Sequence, residues 1–60
     1  MKAKELERLI LKEGWIFRYQ QGSHRQYTHP DKSGKVTIPY HSGDLPKGTL
    51  NSILKQAGLK

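Results

Sequence analysis

The sequence predicts an α+β domain: a helix, a three-stranded antiparallel sheet and a second helix, with both helices on one face. Three observations carry this reading. Apolar residues recur at helical spacing near both ends of the chain, the middle alternates at the period of a strand, and glycine and proline mark the changes between them. Neighbouring strands joined by short loops make an antiparallel meander. Neither helix can bury its apolar stripe alone, so both must lie on the sheet, and its other face stays bare. Sixty residues make one such domain, residues 1–60.

Residues 3–13 place Ala3, Leu6, Leu9, Ile10 and Glu13 at helical spacing, with Leu6, Leu9 and Ile10 as a narrow apolar stripe among charges. Gly14 ends that helix, because glycine accepts the left-handed conformation after a C-cap, and Trp15 can then fold back on Ile10. Trp15 to Tyr19 alternates, so Trp15, Phe17 and Tyr19 are expected to share the core face, with Ile16 and Arg18 opposite. Gln20 to Ser23 reads as a turn around Gly22. His24 to His29 alternates again, with Arg25, Tyr27 and His29 on one side and His24, Gln26 and Thr28 on the other. If the large Tyr27 points toward the helices, His24 stands on the bare face.

Residues 30–34, PDKSG, compose a hairpin loop. Lys35 to Pro39 reads as the last strand, Val36 and Ile38 inward, and Pro39 ends it or marks an edge. After the polar turn from His41 to Asp44 a helix is expected to start at Asp44 or Leu45, with Pro46 in its first turn. Leu50, Ile53, Leu54 and Ala57 form its stripe. Gly58 stops it, and Leu59 is placed to pack back on Leu54.

A chain of this length hides only about 60% of the surface its unfolded form exposes. It contains no cysteine, so neither a disulfide nor a thiolate metal site braces it. No apolar run exceeds three residues, against roughly 18 for a membrane span, and no apolar stretch of a secretory signal follows Met1. A soluble cytoplasmic protein is the default expectation. Eleven Lys and Arg against five Asp and Glu give a net charge of +6 and a pI near 9.9. These cations spread from Lys2 to Lys60, so the positive field belongs to a folded body whose partner is an anion. Nucleic acid is the commonest such partner.

Taken in order, several stretches resemble one family over nearly the whole chain. Gly22-Ser23-His24 precedes a strand that Tyr27-Thr28-His29-Pro30 closes, and Ile38-Pro39-Tyr40-His41 follows the next. Leu45-Pro46-Lys47-Gly48-Thr49-Leu50 opens a final helix that runs to Lys55-Gln56-Ala57-Gly58-Leu59. The family is that of the HicA toxins of bacterial and archaeal toxin-antitoxin systems. The resemblance implies an α-β-β-β-α fold like that of double-stranded-RNA-binding domains. It also implies an mRNA-cleaving endoribonuclease, held inactive by a HicB-type antitoxin, in which the motif histidine, here His24, is essential.

The residues themselves permit that chemistry. RNA carries its own nucleophile, the 2′-hydroxyl, and a neutral imidazole can take its proton as general base, worth typically about 10²- to 10⁴-fold. The small neighbours Gly22 and Ser23 let a phosphodiester chain come close to His24. His29, on the Tyr27 parity, reads as a hydrogen-bonded or half-buried side chain. His41 is a second proton carrier or an RNA contact only if it reaches the open face, and nothing in the sequence fixes its direction. Histidines at positions 24, 29 and 41 match no compact metal-ligand motif, so no metal and no cofactor are expected.

Arg25, Lys32, Lys35 and Lys47 flank the strand-rich half, and Arg25, Lys35 and Lys47 are the candidate phosphate contacts, beside Gly22, Ser23 and His41. Lys47 and Gly48 begin the last helix, where backbone N–H groups favour an anion. The expected partners are single-stranded mRNA and an acidic antitoxin, with no membrane involved. A non-catalytic RNA-binding module would show the same fold and charge, with His24 touching a 2′-hydroxyl or phosphate. A DNA-binding regulator fits less well, since the whole sheet separates the two helices and leaves no helix-turn-helix pair.

Overall fold

The computed structural model describes all 60 residues, Met1–Lys60. Helix α1 spans Ala3–Lys12, strands β1, β2 and β3 span Ile16–Gln21, His24–Thr28 and Val36–Pro39, and helix α2 spans Lys47–Gln56. The strands form one antiparallel sheet in the order β1-β2-β3. The core gathers Leu6 and Ile10 of α1, Tyr27 of β2, Val36 and Ile38 of β3, Ile53 of α2, and Ala3, Trp15, Leu45 and Ala57 from element ends and connections.

Both helices end by the same device, for the reason read from their glycines. Gly14 has φ of 98° and Gly58 of 76°. Past α1, Gly14 N–H bonds Leu11 O at 3.1 Å and Trp15 N–H bonds Ile10 O at 3.0 Å. Past α2, Gly58 N–H bonds Lys55 O at 3.1 Å and Leu59 N–H bonds Leu54 O at 2.9 Å. These are paired Schellman closures, which satisfy carbonyls that a helix end otherwise leaves bare. Trp15 then enters the core, where its indole N–H donates to Ala57 O at 3.2 Å. The same carbonyl accepts from Lys32 Nζ at 3.2 Å. The end of α2 is therefore held by a ring from the end of α1 and a cation from the β2–β3 loop.

Those bonds also fix the direction of the helices. α1 starts beside Asp44, with Lys2 bridged to it and Leu45 N–H bonded to Met1 O at 2.9 Å. α2 starts just after the same loop, and both helices finish near Trp15. They run parallel, with their N-termini at the end of the sheet where β2 begins and β3 ends.

Tyr27 is fully buried, and its hydroxyl donates to the Glu7 carboxylate at 2.6 Å. Arg25, on the same face of β2, donates to the same carboxylate oxygen through Nη1 at 2.8 Å and to Gln20 Oε1 through Nε at 2.8 Å. Its guanidinium lies 3.9 Å from the centre of the Tyr40 ring and 5.1 Å from that of Phe17. One carboxylate of α1 thus takes a phenol and a guanidinium from the central strand. Burial alone would push the Glu7 carboxyl up, but the Tyr27 and Arg25 hydrogen bonds, with the Arg25 charge, outweigh it and hold it below its usual 4.5. Burial, then the bond to Glu7, pushes the Tyr27 phenol up.

The expected aromatic core stripe in β1 is corrected. Trp15 is buried, but Phe17 is 42% exposed and Tyr19 49% exposed, and all six residues of β1 face solvent. Pairing runs Phe17 with Tyr27 but Tyr19 with Gln26, so Arg18 is an extra residue in a β-bulge. The bulge turns Tyr19 onto the face away from the helices. Phe17 keeps the helix-side parity and meets Tyr27 edge to face at 5.7 Å, yet it sits on an edge strand that neither helix covers.

The other differences are boundaries. β1 runs on to Gln21, and the first turn shrinks to Gly22 and Ser23, with Gly22 alone at positive φ, 60°, as a type II′ hairpin requires. β2 stops at Thr28, β3 starts at Val36, α1 stops at Lys12 with Glu13 as its C-cap, and α2 starts at Lys47 with Pro46 as its N-cap. Leu45, freed from the helix, fills the core.

Two outcomes follow. Because the Glu7 carboxylate is favoured by folding, its contribution is complete above about pH 4.5 and is lost as pH falls through the lower folded value. Glu7→Gln should therefore lower the neutral-pH melting temperature and flatten its acid decline; an unchanged acid slope contradicts the assignment. A Cβ on Gly14 would need positive φ and would stand 2.8 Å from His29 Nε2. Gly14→Ala should cost about 1–3 kcal/mol in urea unfolding, and a neutral result contradicts the packing described.

Candidate active site

The parity set by Tyr27 places His24 on the uncovered face of the sheet. His24 is exposed, the first residue of the central strand, and pairs with Gln21 on one side and Pro39 on the other. Paired residues share a face, so the bare surface also carries Tyr19, Gln26, Thr28, Thr37 and Ile16. Thr37 donates to Gln26 Oε1 at 2.6 Å, and Arg18 Nε donates to Thr28 Oγ1 at 2.7 Å. It is a polar surface with one cation, one phenol ring and one imidazole.

The backbone that presents His24 is held from two sides. Tyr40 N–H donates to Ser23 O at 2.6 Å, so the pairing of β2 with β3 continues into the turn. Gln20 Nε2 donates to Gly22 O at 2.8 Å. The next residue, Arg25, is anchored on the other face by Glu7 and Tyr40. Gly22 and Ser23 are exposed, and no atom lies within 4 Å of where a Cβ on Gly22 would stand.

The structure sorts the remaining candidates by end and by face. His41, exposed in the loop after β3, and Lys47, exposed as the first residue of α2, belong to the same end of the domain as His24. No side chain caps the first turn of α2, and it holds no acid. Lys35 precedes β3 at the opposite end, about 13 Å away along the strands by their rise. Lys32 is also at that far end, bonded to the end of α2. Arg25 lies on the helix-side face, committed to Glu7, Gln20 and Tyr40. Gly22, Ser23, His24, His41 and Lys47 thus share one end of the domain, Lys35 lies at the other, and Arg25 stands on the face opposite His24.

His29 has the structural place expected of it. Its Nδ1 accepts from Asp31 N–H at 3.0 Å, which leaves the proton on Nε2, 3.0 Å from Glu13 O. Its ring meets Trp15 edge to face at 5.2 Å. Nowhere do three of His, Asp and Glu gather as a ligand set. No helix is long and apolar enough to cross a membrane.

Two residues of the bare face lie outside the expected site residues. Arg18 was expected on the bare face but not as a contact, and Tyr19 was assigned to the core. Only the bulge brings Tyr19 beside Gln26, and no residue type in the segment announces it.

A basic helix, three-strand, helix domain with a solvent-facing histidine at the head of the central strand is the class these features define. A family described as the HicA toxin of bacterial toxin-antitoxin systems matches residues 3–59, and the chain belongs to that family. No curated protein matches the chain.

The two histidines should separate in a stability measurement. His24→Ala, on an exposed strand residue, should stay within about 0.5 kcal/mol of the parent. His29→Ala loses two hydrogen bonds and an aromatic contact and should cost about 1–3 kcal/mol. Equal effects would mean that one of these environments is wrong.

Proposed function

We propose that this toxin is a metal-independent endoribonuclease that cuts single-stranded mRNA with His24 as general base, and that a HicB-type antitoxin silences it. The observation that carries the reading is the exposure of that imidazole on the uncovered sheet face, on a backbone held by Tyr40 and Gln20. A side chain fixed by a strand is positioned more firmly than one on a free loop.

In the proposed step His24 takes the 2′-hydroxyl proton, the 2′-oxygen attacks the adjacent phosphorus, and the bond to the 5′-oxygen breaks. The leaving oxygen takes a proton from His41 or from water. Products are a 2′,3′-cyclic phosphate and a 5′-hydroxyl. Gly22 and Ser23 leave room for the phosphodiester, Lys47 and the open first turn of α2 meet a neighbouring phosphate, and Tyr19 offers a ring for a base to stack on. Arg18 adds a cation beside that ring. Arg25 supports His24 from the opposite face, and Lys35 lies where only a longer strand reaches. A net charge of +6 favours an acidic inhibitor and rapid association at low salt.

The test is a purified protein and a single-stranded transcript in EDTA. Parent protein should yield fragments ending in cyclic phosphate, and His24→Ala should lose at least about 10²-fold in rate while keeping most of its RNA affinity. Binding should weaken with salt by about 0.7 in log K per log salt for each phosphate contact. Binding without fragments from the parent would leave a non-catalytic RNA-binding module; undiminished cutting by the variant would remove His24 from the chemistry.

A further inference from the structure

The only cavity on the protein's surface lies where the start of α1 meets the loop after β3. It holds about 320 Å³ and is lined by Lys2, Ala3, Lys4, Tyr40, His41, Ser42 and Gly43. Its size is at the small end of ligand pockets, which run from about 300 to 1,000 Å³. Its walls are mostly carbon, yet three of the residues around it carry or can carry positive charge. An apolar group that carries an anion suits both the walls and the rim. With the Tyr40 ring as one wall, a flat ring bearing a phosphate fits best.

Tyr40 gives the pocket its orientation. Arg25 covers one face of its ring at 3.9 Å, and the half-buried ring also lines the cavity. The guanidinium thus holds the ring in place from one side. Gly43 has φ of 90°, and no atom lies within 4 Å of the place a Cβ would occupy, so a ligand can approach the backbone there. The N-terminus of α1 does not serve as the anion site, because the Glu5 carboxylate already sits there, accepting from Lys2 N–H at 2.9 Å. Phosphate contact falls to the Lys2 and Lys4 ammonium groups and to His41.

The cavity adjoins the proposed cutting site through one hydrogen bond: Tyr40 N–H donates to Ser23 O, the residue before His24. We infer that this pocket is a nucleotide subsite, in which a base stacks on Tyr40 among the lysine stems while its phosphate meets Lys2, Lys4 and His41. It takes one nucleotide of the strand that passes His24, and it selects substrate by the shape of that base. The inference rests on the endoribonuclease reading for its setting but not for its test.

Backbone amide spectra of isotope-labelled His24→Ala protein are followed while each of the four nucleoside 5′-monophosphates, ribose 5-phosphate or inorganic phosphate is added. At least one nucleotide should shift Ala3, Lys4, Ser42 and Gly43 with about tenfold or higher affinity than ribose 5-phosphate, as a stacked base contributes. Lys2→Gln combined with Lys4→Gln, both at exposed positions, should weaken that binding several-fold while the rest of the spectrum stays unchanged. In otherwise unaltered protein the same pair should raise KM for RNA and leave kcat near its parent value. Equal response to inorganic phosphate, or shifts confined to Tyr19, His24 and Gln26, would overturn the subsite. Because these spectra need no cleavage, a parent that fails to cut RNA would sink the enzyme reading and leave the titration standing, and the reverse holds as well.

Discussion

The contact between the Tyr27 hydroxyl and the Glu7 carboxylate is the constraint on which the rest of this domain depends. Strand side chains alternate, so committing Tyr27 to the helix side commits His24, three residues earlier, to the opposite side. A slip of one residue would bury the imidazole and expose the phenol. In so small a core, burying the phenol's apolar ring is affordable only because a charged acceptor meets its hydroxyl. Arg25 joins the same carboxylate, and through Tyr40 it connects the central strand to the exit of β3. Core, register and the presentation of His24 are therefore parts of one arrangement.

What could be read from the sequence was what residue type alone decides. Two glycines followed by Trp15 and Leu59 announced the helix ends, because few other residues tolerate the left-handed conformation those closures need. The parity of β2 followed from the size of Tyr27, and the structural place of His29 followed from that parity. The bulge at Arg18 was hidden, since any residue can occupy it and its cause lies in how β1 fits β2. That one extra residue turns Tyr19 to the face opposite the one its spacing predicts. Phe17 keeps the parity its spacing predicts and is still exposed, because no pattern of spacing says which strands the helices leave uncovered. The start of α2 was placed early because Pro46 suits an N-cap as well as a first turn.

The candidate site was legible as a set of residues and not as a place. His24 and its turn could be recognised, whereas the placing of Lys47 and His41 at the same end, and of Lys35 at the other, depends on which ends of the elements meet. A basic residue near a motif histidine in sequence can stand behind the sheet, as Arg25 does. One far away can belong to the same end of the domain, as Lys2 does through its bridge to Asp44 in the loop after β3. Family membership adds the toxin class to this picture without altering the reasons for each placement.

The parallel course of α1 and α2 has an electrostatic result that does not depend on any lysine. Each helix acts as though about half a positive charge sat at its beginning and half a negative charge at its finish. Two helices aimed the same way add these fields, giving the domain a polarity along its length. The negative pole is answered at the end of α2 by Lys32 and the indole N–H on the Ala57 carbonyl. At the positive pole Glu5 offsets α1, but nothing acidic in its own first turn offsets α2. The backbone itself thus makes the end that carries His24 the more attractive to an anion, before any side chain has closed on one.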